Sequence, residues 1–269
     1  MSNLADNQDR NEKNITWDGT LSQRGLDTVR ANGGAIVCPT KVGYIIMTTD
    51  HAGLERKFTA KQRNLNKPGV VLCGSMEQLR SLAQMTPEID RFYQYHFDND
   101  ILLGCILPWK TEAKKDFIPD DGAHELVMDK RQTSCFVIKF GKPSEQIAAR
   151  LWEEDKKLIF ASSANPSGKG NRGKLEGVGD RIEQGVDLLI EADDYVASIQ
   201  PDKDEESRYE QGVMVSMVDD NGTLVPEQNG ERGVTPGPVI IRKGLDVERI
   251  MSALSDHFLS WDYRHGAYY

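Results

Sequence analysis

Leu158-Ile159-Phe160-Ala161-Ser162-Ser163-Ala164-Asn165-Pro166-Ser167-Gly168 decides how the rest of the chain is read. Its first half is a short apolar run, the pattern of a buried strand. Small hydroxylated residues follow, then an amide, a proline and a glycine, which end a strand and open a loop. Small side chains let a ligand approach the main chain closely. The hydroxyl and amide groups of Ser162, Ser163 and Asn165 suit the oxygens of a nucleotide phosphate or ribose. Lys169, Arg172 and Lys174 follow and add positive charge. A plain Asn-Pro-Ser-Gly turn would account for the chain reversal but not for the flanking cations.

On the N-terminal side, two more segments stand at the ends of predicted strands, where open α/β sheets place ligands. Gly33-Gly34-Ala35-Ile36-Val37-Cys38-Pro39-Thr40 delivers the Thr40 hydroxyl to a loop. Lys57-Phe58-Thr59-Ala60-Lys61-Gln62-Arg63 precedes Asn66-Lys67-Pro68 and the buried run Gly69 to Cys73. Lys57 and Lys61 share a helical face, with Arg63 and Lys67 just beyond. Four cations in that arrangement fit a polyphosphate, since arginine grips two oxygens and lysine supplies a mobile point charge.

The remaining pattern interleaves strands and helices, which favours an α/β fold with one domain. Helices are predicted over Thr20 to Asn32 with Thr20 as N-cap, from Asp50 to about Gln62, from Ser75, over Pro87 to His96, Ser144 to Glu154, Asp180 to Gln184 and Val247 to Leu259. Strands are predicted over Ala35–Cys38, Tyr44–Met47, Gly69–Cys73, Ile101–Leu107, Cys135–Phe140, Leu158–Ser162, Val186–Ile190, Gly212–Val218 and Val239–Arg242. Thr111 to Asp121 reads as a charged loop, and the acidic stretch Glu191 to Gln211 as an exposed one. Residues 1–15 read as a disordered arm and the aromatic-rich tail, Trp261 to Tyr269, as a docking segment.

Composition bounds the function. The 269 residues carry 33 basic and 42 acidic side chains, a formal charge of −9, which disfavours sliding along nucleic acid but permits a local basic site. No apolar run is long enough to span a bilayer, so no membrane partner is expected. Met1 to Lys13 lacks the apolar core of a secretory leader. The four cysteines, Cys38, Cys73, Cys105 and Cys135, lie far apart in apolar stretches. They read as buried free thiols of a reducing, cytoplasmic protein rather than metal ligands. The chain has no Gly-x-x-x-x-Gly-Lys-Ser/Thr loop, no Gly-x-Gly-x-x-Gly and no Gly-x-Ser-x-Gly elbow, which disfavours P-loop, Rossmann and α/β-hydrolase enzymes.

The three segments, in that order, resemble the Sua5/YciO/YrdC family of threonylcarbamoyl-adenylate synthases. The family opens with a Gly-Gly strand ending in Pro-Thr, as Gly33 to Thr40 does. It continues with Lys-x-Arg and an Asn/Lys-Pro element, which Lys61-Gln62-Arg63 and Asn66-Lys67-Pro68 are similar to. Its most specific signature, Ser-Ala-Asn-x-Ser-Gly, is matched by Ser163 to Gly168. Met214 to Asp219 and Ile240 to Gly244 look like diverged forms of its two closing strands. The run Lys41-Val42-Gly43-Tyr44 departs from the family's Glu-Thr/Ser-x-Tyr-Gly, and Lys139 stands where the family has a strand arginine.

The resemblance implies a single twisted mixed-sheet α/β domain, spanning residues 16–254, around an open basic cavity, with a tail over 255–269. It implies that an amino acid, threonine in the main branch, combines with bicarbonate or CO2 as a carbamate. The carbamate would attack ATP in the presence of Mg2+, release pyrophosphate and leave a carbamoyl-adenylate for proteins that modify transfer RNA. Under that reading Lys61 and Arg63 are catalytic. Ser162, Ser163, Asn165, Lys67, Ser216 and Arg242 bind the nucleotide, Thr40 and Lys139 bind the amino-acid side, and no resident metal ligands are expected. The altered Lys41–Tyr44 run leaves open a different amine. A non-catalytic nucleotide- or RNA-binding module also remains open.

Overall fold

The computed structural model describes residues 13–62, 69–166 and 170–266. In chain order the elements are β1 (Asn14–Thr16), α1 (Gln23–Arg30), β2 (Ala35–Thr40), β3 (Gly43–Thr48), α2 (His51–Lys61), β4 (Val70–Leu72), α3 (Met76–Leu82) and α4 (Pro87–Asp98). Then come β5 (Leu103–Pro108), α5 (Thr111–Phe117), α6 (His124–Val127), β6 (Thr133–Ile138), α7 (Lys142–Asp155) and β7 (Ile159–Ser163). The last are α8 (Asp180–Gly185), β8 (Leu188–Glu191), α9 (Asp193–Ile199), β9 (Val213–Ser216), β10 (Val239–Arg242), α10 (Val247–His257) and β11 (Asp262–Tyr263). Two compact units result, each discontinuous in sequence: Met1–Asn64 with Gly141–Arg208, and Leu65–Phe140 with Tyr209–Tyr269.

In the first unit the strands run in the order β1-β8-β2-β3-β7. The β1–β8 and β8–β2 pairs are parallel, and β2–β3 and β3–β7 are antiparallel, so the twisted sheet is mixed. Every residue of β2 is buried, as expected of a strand covered on both faces. Ala35 and Val37 of β2 and Tyr44 and Ile46 of β3 alternate onto one face, where they pack with Val178, Ile182 of α8 and Val196 of α9. Elsewhere α1 crosses so closely that a Cβ on Gly25 would meet the Cδ1 atoms of Ile147 and Ile190 at 2.9 Å. Leu26 and Val29 of the same helix are fully buried, each worth roughly 1.5–3 kcal/mol.

The second unit has the order β4-β6-β5-β9-β10-β11 and is also mixed. Its β4–β6, β5–β9 and β10–β11 pairs are parallel, while β6–β5 and β9–β10 are antiparallel. The four cysteines are free and buried, and burial pushes the Cys38 thiol up to about 12.

Several elements differ from the sequence reading. Ser22, not Thr20, caps α1 by accepting from Gly25 N at 3.1 Å. Asn14 and Ile15, read as part of an arm, form β1 against β8. The stretch read as a charged loop contains α5, whose buried Ala113 gives it one apolar contact. The acidic stretch contains α9, anchored by buried Val196 and opened by Asp193 and Asp194, whose charges suit a helix N-terminus. No helix among the described residues is long and apolar enough to cross a membrane.

Candidate functional site

Asp50 caps α2 by accepting from Gly53 N at 2.8 Å, and Gln62 closes it in the left-handed conformation at φ 50°. This fixes Lys61 in the last turn. Its stem is buried, at 6% exposure, and its ammonium donates to the main-chain oxygen of Ser163 and, at 3.0 Å, to the Ser163 hydroxyl. Lys57, one turn earlier, is 2% exposed, with its ammonium 4.7 Å from the Phe58 ring centre. Two residues that the sequence nominated from separate segments, Lys61 and Ser163, therefore meet. Arg63 and Lys67 lie outside the described residues.

The register of β7 on β3, with Ile45 opposite Ser163 and Ile46 opposite Ser162, carries the Ser-Ala-Asn segment beside the β2–β3 turn. Ala164 N extends that ladder to Tyr44 O at 2.7 Å. The Ser162 hydroxyl is buried with no hydrogen-bond partner, although native structures satisfy nearly all such groups. Asn165 Nδ2 reaches Pro166 O at 3.1 Å.

Thr40 sits at the hairpin end with its hydroxyl turned inward. It donates to Gly43 O at 2.7 Å and accepts from Val42 N at 3.2 Å. Ser144 of α7 supports the same turn by donating to Pro39 O at 2.7 Å. Gly43 adopts φ +120°, and a Cβ there would lie 2.2 Å from Asn171 Oδ1, so only glycine fits.

Asn171 was not singled out from the sequence, yet it binds the two segments together. It is 5% exposed, and its Nδ2 donates to Tyr44 O at 3.0 Å and Ala164 O at 3.1 Å, while Oδ1 accepts from Gly173 N at 3.1 Å. Its place in Gly170-Asn171-Arg172-Gly173 signals a turn, but not which strands the amide joins. Behind it, the Tyr44 hydroxyl donates to Asp193 Oδ1 at 2.5 Å and accepts from Ala192 N at 2.9 Å. Burial, and then the bond to Asp193, hold that phenol well above its ordinary pKa.

Two of the cations after the Ser-Ala-Asn segment, Arg172 and Lys174, have acidic partners, and Lys169 lies outside the described residues. Lys174 lies 3.4 Å from Glu205 and 3.9 Å from Asp193, and Arg172 lies 4.0 Å from Glu206.

The other nominated residues belong to the second unit. Lys139, at φ 54°, pairs with Asp100 at 3.7 Å and lies over the Phe97 ring at 4.2 Å. Ser216 and Arg242 stand on adjacent strands, Ser216 donating to Val218 O at 3.0 Å and Arg242 Nε to Gly212 O at 2.9 Å. No group of three or more His, Cys, Asp or Glu among the described residues could hold a metal ion.

A hypothetical protein from Streptococcus mutans has a solved structure 65% identical to this chain, covering 95% of this chain and 99% of that one, with a TM-score of 0.90. Sua5 of P. abyssi, solved in complex with L-threonine, is 21% identical over 90% of this chain and 60% of its own, with a TM-score of 0.60. E. coli YciO is 20% identical over 86% and 94%, with a TM-score of 0.59. At that identity the last two share the fold. No curated protein sequence matches significantly. The family model Sua5_yciO_yrdC, described as telomere recombination, matches residues 28–203, which include the β2–β3 turn, Lys61 and the whole Ser-Ala-Asn segment. The chain belongs to the Sua5/YciO/YrdC family.

Proposed function

We propose that this chain is a nucleotidyltransferase that activates an amino-acid carbamate with ATP, in service of transfer-RNA threonylcarbamoyladenosine modification. The observation that carries the reading is the Lys61–Ser163 contact, which puts a buried-stem ammonium on the main chain and hydroxyl of the Ser-Ala-Asn segment. Family membership and the unmet Ser162 hydroxyl support it. The L-threonine bound in the P. abyssi Sua5 structure motivates threonine as the amine.

In this scheme the amine nitrogen and bicarbonate condense to a carbamate with loss of water. One carbamate oxygen then bonds to the α-phosphorus of ATP, the bond from that phosphorus to the bridging oxygen breaks, and pyrophosphate leaves. Such a step needs positioning and cationic stabilisation more than a covalent nucleophile. Lys61 and Arg63 would take the charge of the departing pyrophosphate, with Lys67 adding to it. Ser162, Ser163 and Asn165 would hold the nucleotide phosphate and ribose, with Ser216 and Arg242 assigned to the nucleotide and Lys139 to the carbamate side. Thr40 would contribute through the turn that its hydroxyl ties. Mg2+ would enter with the nucleotide and offset part of the charge on its phosphates.

A second reading keeps the chemistry and changes the amine. It is favoured by the Thr40 hydroxyl being engaged within its own turn and by buried Lys41 beside it. Mass spectrometry of products from ATP, bicarbonate and an amino-acid mixture tests both. A threonylcarbamoyl-adenylate supports the first, another carbamoyl-adenylate the second, and no pyrophosphate release with any amine contradicts both.

A further inference from the structure

The acidic turn after α9 lies against Arg172 and Lys174, two of the cations that follow the Ser-Ala-Asn segment. Asp204 builds the turn: its Oδ1 accepts from Glu206 N at 3.1 Å and from Ser207 N and Oγ at 2.8 and 2.6 Å. That fold presents Glu205 to Lys174 at 3.4 Å and Glu206 to Arg172 at 4.0 Å. The opposite side is equally fixed. Arg172 and Gly173 take consecutive positive φ values of 53° and 70°, held by Gly173 N on Asn171 Oδ1, and Asn171 is bonded in turn to Ala164 O of the Ser-Ala-Asn segment. The acidic turn is thus clasped to the base of the segment assigned to nucleotide phosphate.

We propose that residues 204–207 act as an internal counter-ion strap, occupying Arg172 and Lys174 until a polyphosphate displaces it. The proposal rests on the phosphate-site reading above and adds to it a built-in competitor. The clasp's weakness makes it displaceable. Exposed ion pairs are worth little individually and are screened by salt, whereas a ligand carrying several charges on adjacent phosphates engages both cations at once. While the strap is closed, the acidic turn offsets part of the two cations' attraction for a ligand. Once it is displaced that offset is gone, and the acidic turn is released to solvent.

The test compares the full-length chain with the Glu205→Gln/Glu206→Gln double variant, using inorganic tripolyphosphate as probe in calorimetric titrations at low and high salt. A Glu153→Gln/Asp155→Gln variant controls for total charge, since those residues pair with neither Arg172 nor Lys174. The strap variant should bind about 3- to 10-fold more tightly at low salt, with the gain shrinking at high salt, while the control stays within about 2-fold of the wild type. Amide exchange over residues 204–207 of the wild type should rise when tripolyphosphate binds. Binding by the wild type with no gain in the strap variant, or an equal gain in the control, overturns the strap and leaves the phosphate-site reading standing. No tripolyphosphate binding by any of the proteins overturns the phosphate site and the strap with it.

Discussion

Lys61, in the last turn of α2, donates its ammonium to both the main-chain oxygen and the hydroxyl of Ser163, at the end of β7 and 102 positions away in sequence. This one contact joins a helix C-terminus to the loop that the sequence marks as nucleotide-like. Removing the ammonium removes a cation that the proposed function assigns to the departing pyrophosphate. Lys61→Ala is expected to cost roughly 2–4 kcal/mol of transition-state stabilisation, read as a fall in kcat/KM for pyrophosphate release. Arg63→Ala should cost a similar amount. Wild-type turnover in both variants would remove the phosphate site from this part of the chain.

Asn171 should matter to stability before it matters to chemistry. Its amide serves two buried carbonyls, Tyr44 O and Ala164 O, which no longer meet a side-chain donor after truncation. Asn171→Ala is expected to destabilise the fold by about 1–3 kcal/mol in urea unfolding. Gly43→Ala attacks the same junction from the other side, since its Cβ would collide with Asn171 Oδ1 and its φ is +120°. It should cost at least about 1–3 kcal/mol. Stability within 0.5 kcal/mol of the wild type in both would show that the junction is not held as described.

These two cases show what the sequence makes legible. Asp50 as cap and the end of α2 near Gln62 are readable because capping chemistry is local. The same holds for most strands, whose apolar runs are continuous because both faces are covered, as in β2 and β6. Lys61 and Ser163 are readable as separate candidates because unusual residue types cluster around each. Asn171 is not, because its importance lies in which distant carbonyls it reaches. The pairing of Arg172 and Lys174 with Glu206 and Glu205 is hidden for the same reason, although both partners are plain in the sequence. Helices α5 and α9 escape because each is short and has a single buried residue, Ala113 or Val196, too few to set a period.

His96 gives a pH dependence with a definite sign. It is fully buried on α4, its Nδ1 lies 2.7 Å from Phe92 O, and its ring packs edge-on against Phe92. Burial lowers its pKa to about 4, because the charged imidazolium would lose its water. The unfolded chain, with an ordinary histidine, binds the proton at higher pH than the folded one. The stabilisation is therefore complete above about pH 6.5 and is lost as pH falls toward 4, by roughly 3 kcal/mol in all. Urea unfolding across that range should show the slope, and His96→Leu should flatten most of it, leaving the smaller share of half-buried His257, whose pKa burial also lowers. An unchanged slope in His96→Leu would assign the acid sensitivity elsewhere.

Glu88 is a buried carboxylate on α4 that accepts from Gln228 N and Asn229 N, both at 2.8 Å. Gln228 in turn exchanges hydrogen bonds with Ser260, at 2.6 and 2.8 Å, just before β11. Glu88→Ala should leave both amides without their charged acceptor, at a cost of about 1.5–3 kcal/mol for each such bond. Exchange protection at residues 228–229 and at β11 should fall together. Loss at 228–229 with β11 fully protected would show that the tail docks independently of this clamp.

The central claim is that a single triphosphate is held where Lys61 meets the Ser-Ala-Asn segment. A crystal structure of the full chain with a non-hydrolysable ATP analogue measures it directly. The account predicts phosphate oxygens within hydrogen-bonding distance of Lys61 Nζ and of the Ser162–Asn165 segment. Phosphates bound elsewhere, with the Lys61–Ser163 contact undisturbed and no ligand atom near Ser162, would contradict it.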